Sequence, residues 1–277
     1  MRVPLKDDEY RLFSEWLVQE VGLWFGPERR EILRGRLEPL RAELDLPSFE
    51  RLLFHARYHP SRADVRSRLL SSLTNNESYF FRETRHLELL RDEVLPEVRA
   101  AARSEGRPIR ILSVGCAAGE EVYTLAIAVR QTFPGLVDVR IIGVDVDTAA
   151  LERAQEGFYR KHALRGVGDA ERAAYFQEEG DGWRIRPEYR TGVEFRYGNV
   201  VAGDWPGELD RQDVVFCRNL LIYFDDGGVR RAAENLYQVV RPGGYLFLGH
   251  AESLSRVPSR FVTRRRPGVV YYERPEV

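Results

Sequence analysis

Apolar residues recur at helical spacing through residues 8 to about 72, which read as all-helical. Asp7 or Asp8 can cap a first helix through Trp16, Leu17 and Val21, with Gly22 as its stop. Pro27 opens a second, PERREILRGRLEPLRAEL, with Leu33, Leu37, Leu40 and Leu44 on one face. Pro47-Ser48 starts a third helix through Leu53 and His55, and Pro60-Ser61 a fourth through Val65, Leu69 and Leu70. The next segment, TNNESYFFRE from Thr74 to Glu83, is polar, then aromatic, then charged, and it introduces a long helix from 84 to about 103.

After Gly106 the pattern changes to strands alternating with helices. Strands are expected at Ile109–Val114, Val139–Val144, Val214–Phe216, Tyr245–Gly249 and Val269–Tyr272. Helices are expected from Glu120 to about Phe133, from Thr148 with helical material to Phe176, and from about Gly228 to Val240. A short hairpin is expected within Trp183–Tyr197. This alternation predicts an α/β fold with a doubly wound, mostly parallel sheet and helices on both faces. The division expected is a helical domain over 1–75, a linker and connecting helix over 76–106, and a ligand-binding domain over 107–277. A small β-subdomain is placed at about 180–198. Ligands of such sheets bind beyond the carboxyl ends of the strands. Three segments end strands there: Gly115–Glu121, Asp145–Asp147 and Arg218–Tyr223.

Composition narrows the class. The chain has 277 residues, 43% hydrophobic and 31% charged, enough for a sizeable core. A net charge of -1 gives no overall field for nucleic acid or an anionic membrane. Cys116 and Cys217 are the only cysteines, which is no disulfide framework. The N-terminus lacks the apolar core of a signal peptide and no apolar run approaches a membrane span, so a cytoplasmic protein is expected. No His/Cys cluster has metal spacing and no Ser-His-Asp arrangement is suggested.

The first strand ends in Gly115-Cys116-Ala117-Ala118-Gly119, and Glu120 and Glu121 open the following helix. A turn nearly free of side chains lets a ligand approach the backbone, but two acids at the helix start repel phosphate. The dinucleotide fingerprint GxGxxG is absent. Asp145, ending the next strand, stands where a carboxylate accepts ribose hydroxyls, or caps the next helix, a role Thr148 or Asp147 could take instead. Together these suit adenosine carrying a cationic sulfonium and an amino acid end, that is, S-adenosylmethionine.

Five segments then occur in order: Asn76-Glu77-Ser78-Tyr79-Phe80-Phe81-Arg82-Glu83, Gly119-Glu120-Glu121-Val122-Tyr123, Gly143-Val144-Asp145-Val146-Asp147, Phe216-Cys217-Arg218-Asn219-Leu220-Leu221-Ile222-Tyr223-Phe224, and Pro242-Gly243-Gly244-Tyr245-Leu246-Phe247-Leu248-Gly249-His250. Over nearly the whole chain this resembles the CheR family of chemotaxis receptor methyltransferases. The resemblance implies a sheet of the S-adenosylmethionine-dependent methyltransferase type. It implies S-adenosyl-L-methionine as donor, S-adenosyl-L-homocysteine as product, and a glutamate on a receptor's cytoplasmic helices as acceptor, forming a methyl ester. It implies cofactor contacts from Asn76, Ser78, Arg82, Glu121 (with Glu120 beside it), Asp145, Asn199, Val200, Arg218 and Asn219. Arg82 and Tyr223 take the catalytic, carboxylate-positioning role. Ser78 stands where many relatives have Thr, and keeps the hydroxyl.

The arginines of the second helix, Arg30, Arg34 and Arg41 along one flank and Arg36 near the opposite edge of the apolar stripe, are expected to meet the receptor; the plainer reading pairs them with Glu31, Glu38 and Glu43. Arg218 also reads as a buried arginine paired with a carboxylate, and His250 as structural. The connection Gln177–Gly182 looks short, so capture of a receptor tail peptide is not expected. A monomer acting on receptors, without nucleic acid or membrane insertion, is the overall expectation. The alternatives are a different methyl acceptor, or a non-catalytic module that senses the cofactor.

Overall fold

The computed structural model describes residues 3–135, 138–205, 209 and 211–276. The N-terminal helices follow the apolar spacing: α1 (Asp7–Val21), α2 (Arg30–Glu43, entered through a 3-10 turn at Pro27–Arg29), α3 (Phe49–Tyr58) and α4 (Arg62–Leu73). Leu33, Leu37 and Leu40 are buried as the pattern predicts, and Leu44 is half-buried. The start of α1 differs from expectation. Lys6 holds the cap position, and its backbone N donates to Glu9 Oε2 at 2.9 Å, so the acid within the first turn closes the helix start. Ser48 caps α3 by accepting from Arg51 N at 3.3 Å.

The long connecting helix is α5 (Thr84–Leu89) and α6 (Leu95–Ser104) joined by a π turn at Leu90–Val94. Pro96 follows two residues after the π turn, as the second residue of α6. It has no N–H to give and its ring crowds the preceding turn, so the ladder widens there instead of breaking.

The ligand-binding region runs β1 (Ile109–Val114), α7 (Glu120–Thr132), β2 (Val139–Asp145), α8 (Thr148–Glu156), β3 (Phe158–Tyr159), α9 (Asp169–Tyr175), β4 (Phe176–Glu179), β5 (Gly182–Ile185), β6 (Val193–Tyr197), β7 (Gln212–Cys217), α10 (Asp226–Val239), β8 (Val240–Leu248), β9 (Val262–Arg266) and β10 (Val269–Glu273). The main sheet has the order β6-β2-β1-β7-β8-β10-β9. Neighbours from β6 to β8 pair in parallel, and β10 is antiparallel to both β8 and β9. The connections reverse direction between β1 and β7, which opens a crevice at their carboxyl ends.

Three expectations need correction. Helical structure does not run to Phe176: it stops at Gly157, is interrupted by β3, and resumes only as α9. Trp183–Tyr197 is not one hairpin. Trp183 to Ile185 pairs antiparallel with Phe176–Glu179 and with Phe158–Tyr159 in a separate three-stranded sheet, β3-β5-β4. Val193–Tyr197 instead joins the main sheet parallel to β2, from Ile141↔Val193 to Asp145↔Tyr197. Gly192 permits this entry, with φ +77° and a backbone so close that a Cβ would meet Val139 O at 2.5 Å. The small sheet is therefore built from strands between 158 and 185, not 180–198. The edge strand β9 was not expected at all.

The two faces of the main sheet separate the core by strand alternation. Leu112, Val114, Ile142, Val144, Val215, Cys217, Leu246 and Leu248 pack in one cluster with the N-terminal helices and α10. Ile111, Ile141, Val214, Phe216 and Phe247 pack with α5, α6 and α7 on the other. The helical region thus shares its apolar core with the sheet, which holds it over the carboxyl ends of β2 and β7. Among the described residues no helix is long and apolar enough to cross a membrane.

Candidate active site

The crevice at the ends of β1, β2 and β7 has two lobes. The first is apolar, lined by Val21, Leu23, Val146, Val200, Leu220 and Phe224, with Asp145, Asn76, Asn199 and Tyr223 at its polar points. The second is charged, lined by Glu77, Ser78, Tyr79, Arg82, Glu121 and Arg218. Asn75, Gly115, Ala117 and Asn219 line both lobes, so the strand-to-helix turn and the loop after β7 form their common wall. Gly119 sets that turn. It has φ +88°, and a Cβ would meet Ala154 and Phe195 at 2.9 Å.

Asp145 is 8% exposed. Its Oδ2 accepts from Ala117 N at 2.8 Å and its Oδ1 from Asp147 N at 2.9 Å, leaving further lone pairs directed at the crevice. Burial pushes its carboxyl up to about 6, against the pull of those backbone N–H groups. Glu121 accepts from Ser113 Oγ at 2.7 Å and from Arg218 Nε at 2.6 Å. Arg218 also donates to the carbonyl of Arg82 at 2.8 Å. The buried-arginine reading of Arg218 therefore describes its geometry, and its partner is Glu121, which lines the charged lobe. Glu120 is buried, and its Oε2 has no hydrogen-bond partner among the described residues. Burial pushes its carboxyl up to about 7, offset in part by its own backbone N–H and by Ser78.

Arg82 is half-buried and lines the charged lobe, with no carboxylate partner among the described residues. Its guanidinium carbon lies 5.4 Å from the Tyr79 ring centre and Nη1 makes one long contact, 3.5 Å, to Glu77 O. Tyr223 Oη accepts from Asn75 Nδ2 at 2.7 Å, at the junction of the lobes.

A family model described as CheR methyltransferase, SAM binding domain, matches residues 76–269. The chain belongs to the CheR methyltransferase family. It is 34% identical over 275 residues to chemotaxis protein methyltransferase 2 of Vibrio cholerae, covering 98% of this chain and 94% of the relative. It is 32% identical over 271 residues to chemotaxis protein methyltransferase 1 of Pseudomonas aeruginosa, covering 95% and 97% respectively.

This CheR methyltransferase uses S-adenosyl-L-methionine, and its residues fit that group. The apolar lobe suits an adenine, and Asp145 offers acceptors to ribose hydroxyls. The charged lobe holds carboxylate and guanidinium side by side for an amino acid end. The buried Oε2 of Glu120, without a hydrogen-bond partner among the described residues, is an unmet acceptor at the same helix start.

Other expected residues line the crevice while their side chains are committed elsewhere. Asn76 Nδ2 donates to Asp147 Oδ2 at 2.6 Å. Asn199 Nδ2 donates to Glu20 O at 2.6 Å, and its Oδ1 accepts from Val201 N at 3.0 Å, tying the wall of the apolar lobe to the end of α1. Val200 is buried in that wall. The four arginines of α2 are not part of the crevice lining. Arg30 bonds Asp7 and the carbonyl of Leu5, Arg34 bonds Glu31 at 2.8 Å, and Arg41 is bidentate to Glu38. Arg36 donates to Leu73 O at 2.6 Å and Thr74 O at 3.2 Å, which satisfies the last carbonyls of α4. Glu43 pairs with Arg68 and not with an α2 arginine.

Sequence reasoning gave no role to Asn75, Glu83 or Glu252, and offered Asp147 only as a possible cap of the helix after β2, which it is. Asp147 accepts from Ser71, Thr74 and Asn76 and caps α8, so one carboxylate joins the end of α4 to the crevice. Burial works against its ionisation, but these donors hold its carboxyl below the usual range. Glu83, at φ 58°, meets His86 at 2.8 Å and the largely exposed His250 at 2.9 Å. Glu252 accepts four backbone N–H groups: Asn219 at 2.6 Å, Gly249 at 2.7 Å, Leu221 at 2.6 Å and Ile222 at 3.3 Å. It braces the loop between Arg218 and Tyr223. Phe81, Glu83, Ala117 and Asn219 all hold positive φ around the crevice, a conformation that costs on the order of 1–3 kcal/mol at a non-glycine residue. Only surrounding bonds of this kind keep it populated.

Proposed function

We propose that this CheR methyltransferase forms methyl esters on glutamate side chains of chemotaxis receptor cytoplasmic helices. The observation that carries the reading is the state of the crevice's charged groups. Asp145 is bound to two backbone N–H groups, Glu121 to Arg218 and Ser113, and Glu77 to Arg165 at 3.1 Å. The two acids that line the charged lobe beside Arg82, Glu121 and Glu77, are each paired with an arginine, so neither stands there as a free base for a hydroxyl or an ammonium acceptor. Arg82, in contrast, has no carboxylate of its own among the described residues. That arrangement suits an acceptor which is already an anion, as a glutamate is at neutral pH with a reference pKa of about 4.3.

S-adenosylmethionine supplies an electrophilic methyl group on a sulfonium. Arg82 steers the incoming carboxylate without a competing ion pair. Tyr223, held by Asn75, fixes the reacting end. A loose arginine is appropriate, because a tight bidentate pair would quench the nucleophile. The relatives' names as chemotaxis protein methyltransferases support receptors as acceptors. The flank of α2 bearing Arg30, Arg34 and Arg41 is then the receptor-docking face, although pairing with Asp7, Glu31 and Glu38 reduces its net charge. The reading places the protein in the cytoplasm, as a monomer. It does not include tail-peptide capture.

The test is transfer of labelled methyl from S-adenosylmethionine to a panel of receptor cytoplasmic fragments. Base-labile label on glutamate is expected. Base-stable label, or none on any receptor, would contradict the reading.

A further inference from the structure

The mouth of the crevice carries a feature that cofactor binding does not use. An antiparallel bridge joins Leu23 to Phe224, and Trp24 N donates to Tyr223 O at 2.8 Å. Leu23 and Phe224 are buried and line the apolar lobe. Trp24 stands opposite Tyr223 across this bridge, and Ile222 directly precedes Tyr223 in the 3-10 turn Leu221–Tyr223, while Tyr223 itself lines the apolar lobe. Trp24 and Ile222 are each 47% exposed, and neither lines either lobe. Two large apolar side chains thus stand uncovered on the two residues that flank Tyr223 across the bridge and along the chain.

We infer that Trp24 and Ile222 form an apolar rim that seats the acceptor helix and selects its sequence. The inference rests on the glutamate-methylation reading and deepens it. Any protein that presents a carboxylate to Arg82 and Tyr223 must lay its backbone across this mouth. On a helix, the residues three and four positions from the target glutamate share its face. The rim therefore favours an acceptor with an apolar side chain at one of those positions, and disfavours a glutamate flanked only by charge. Burial of Trp24 adds affinity where Arg82 must hold its own carboxylate loosely. The partition is useful: docking energy comes from apolar contact beside the reaction, so the nucleophile need not be tightly bound.

The variants are Trp24→Ala, Trp24→Phe and Ile222→Ser in the full chain. The measurements are KM and kcat for a receptor cytoplasmic fragment, and the Kd of S-adenosylhomocysteine by calorimetry. Folding is not at risk, since Leu23 and Phe25 carry the local packing and the Trp24 backbone bond survives each change. Loss of an interface tryptophan raises KM by roughly tenfold or more, and Trp24→Phe recovers most of it. A fragment with its apolar residues beside the target glutamate replaced by Ser raises KM in the wild type, and adds little further in Trp24→Ala. Product affinity stays unchanged throughout. An unchanged acceptor KM in both Trp24→Ala and Ile222→Ser would overturn the rim while leaving the methylation reading intact. A parallel loss of product affinity would also overturn it, because the residues would then shape the cofactor lobe. Absence of receptor methylation by the wild type would overturn the reading, and the rim with it.

Discussion

Arg218 Nε lies 2.6 Å from Glu121 Oε2, across the charged lobe from Arg82, whose carbonyl accepts a second Arg218 donor at 2.8 Å. One buried guanidinium therefore joins Glu121, in the lining of the charged lobe, to the backbone of Arg82, the residue proposed to meet the acceptor. Arg218→Met leaves the half-buried Glu121 without its cation. Breaking one side of a buried pair costs about 3–5 kcal/mol, and thermal melting should show a drop of that size. Glu121→Gln keeps an acceptor for Arg218 and should lower cofactor affinity more than stability. Equal melting temperatures for Arg218→Met and wild type would contradict the pairing.

Cofactor affinity should depend on pH in two steps. Burial raises the Glu120 carboxyl to about 7 and that of Asp145 to about 6. Both values lie above the unfolded ones, so the native state holds extra protons between the unfolded and native pKa values. The stability of the ligand-free protein contributed by these two groups is greatest at low pH and is lost as pH rises through that window. Ligand affinity moves oppositely, because ribose hydroxyls and a cationic end need the ionised carboxylates. Calorimetric titration should show weaker S-adenosylmethionine binding as pH falls below about 7 and again below about 6. Glu120→Gln removes the upper step and Asp145→Asn the lower. A flat profile in the wild type would contradict both assignments.

Glu252 should matter more than its place outside the motif suggests. Glu252→Ala frees four backbone N–H groups from Gly249, Asn219, Leu221 and Ile222. Each unsatisfied buried donor costs about 1–3 kcal/mol unless water reaches it. Methyl transfer should fall at least tenfold with a smaller loss of cofactor affinity, because the loop positions Tyr223. Glu252→Gln, which keeps one accepting oxygen, should fall between. Wild-type turnover in Glu252→Ala would remove this bracing role.

Receptor docking through α2 predicts salt sensitivity. Arg34→Glu places two acids three residues apart at Arg34 and Glu31, where an ion pair of 2.8 Å now stands. Acceptor KM should rise several-fold at low ionic strength and converge with wild type at high salt. Cofactor Kd should not move. Salt-independent methylation would argue against this face.

Much of this was legible in the chain because it is local. The apolar run of β1, the small turn and the acids of α7 lie within a few residues, and the observed bounds of β1 match the expected ones. Asp145, Arg82 and Tyr223 could be placed because each sits in a distinctive segment at a strand end or a domain junction. What failed depends on partners far along the chain. Trp183–Ile185 looks like half of a hairpin with Val193–Tyr197 until β6 is drawn to β2 and Phe176–Glu179 takes its place. Strand β9, with every residue exposed, has no buried face to leave a periodic trace. Glu252 was invisible for another reason: its partners are backbone N–H groups, which have no residue code. Arg36 has a role that could not be read from its place in a basic helix: it caps the end of a neighbour through two carbonyls.

The central claim is that Arg82 presents the acceptor carboxylate without being needed for folding or for most cofactor binding. The decisive measurement is single-turnover methyl transfer to a receptor cytoplasmic fragment by Arg82→Ala, alongside its thermal melt and cofactor Kd. The rate should fall on the order of 100-fold or more, as expected when a positioning contact made at the reacting group is lost. Melting temperature should stay near wild type, because Arg82 makes no ion pair among the described residues. A near-normal rate of transfer by the folded variant would contradict the account.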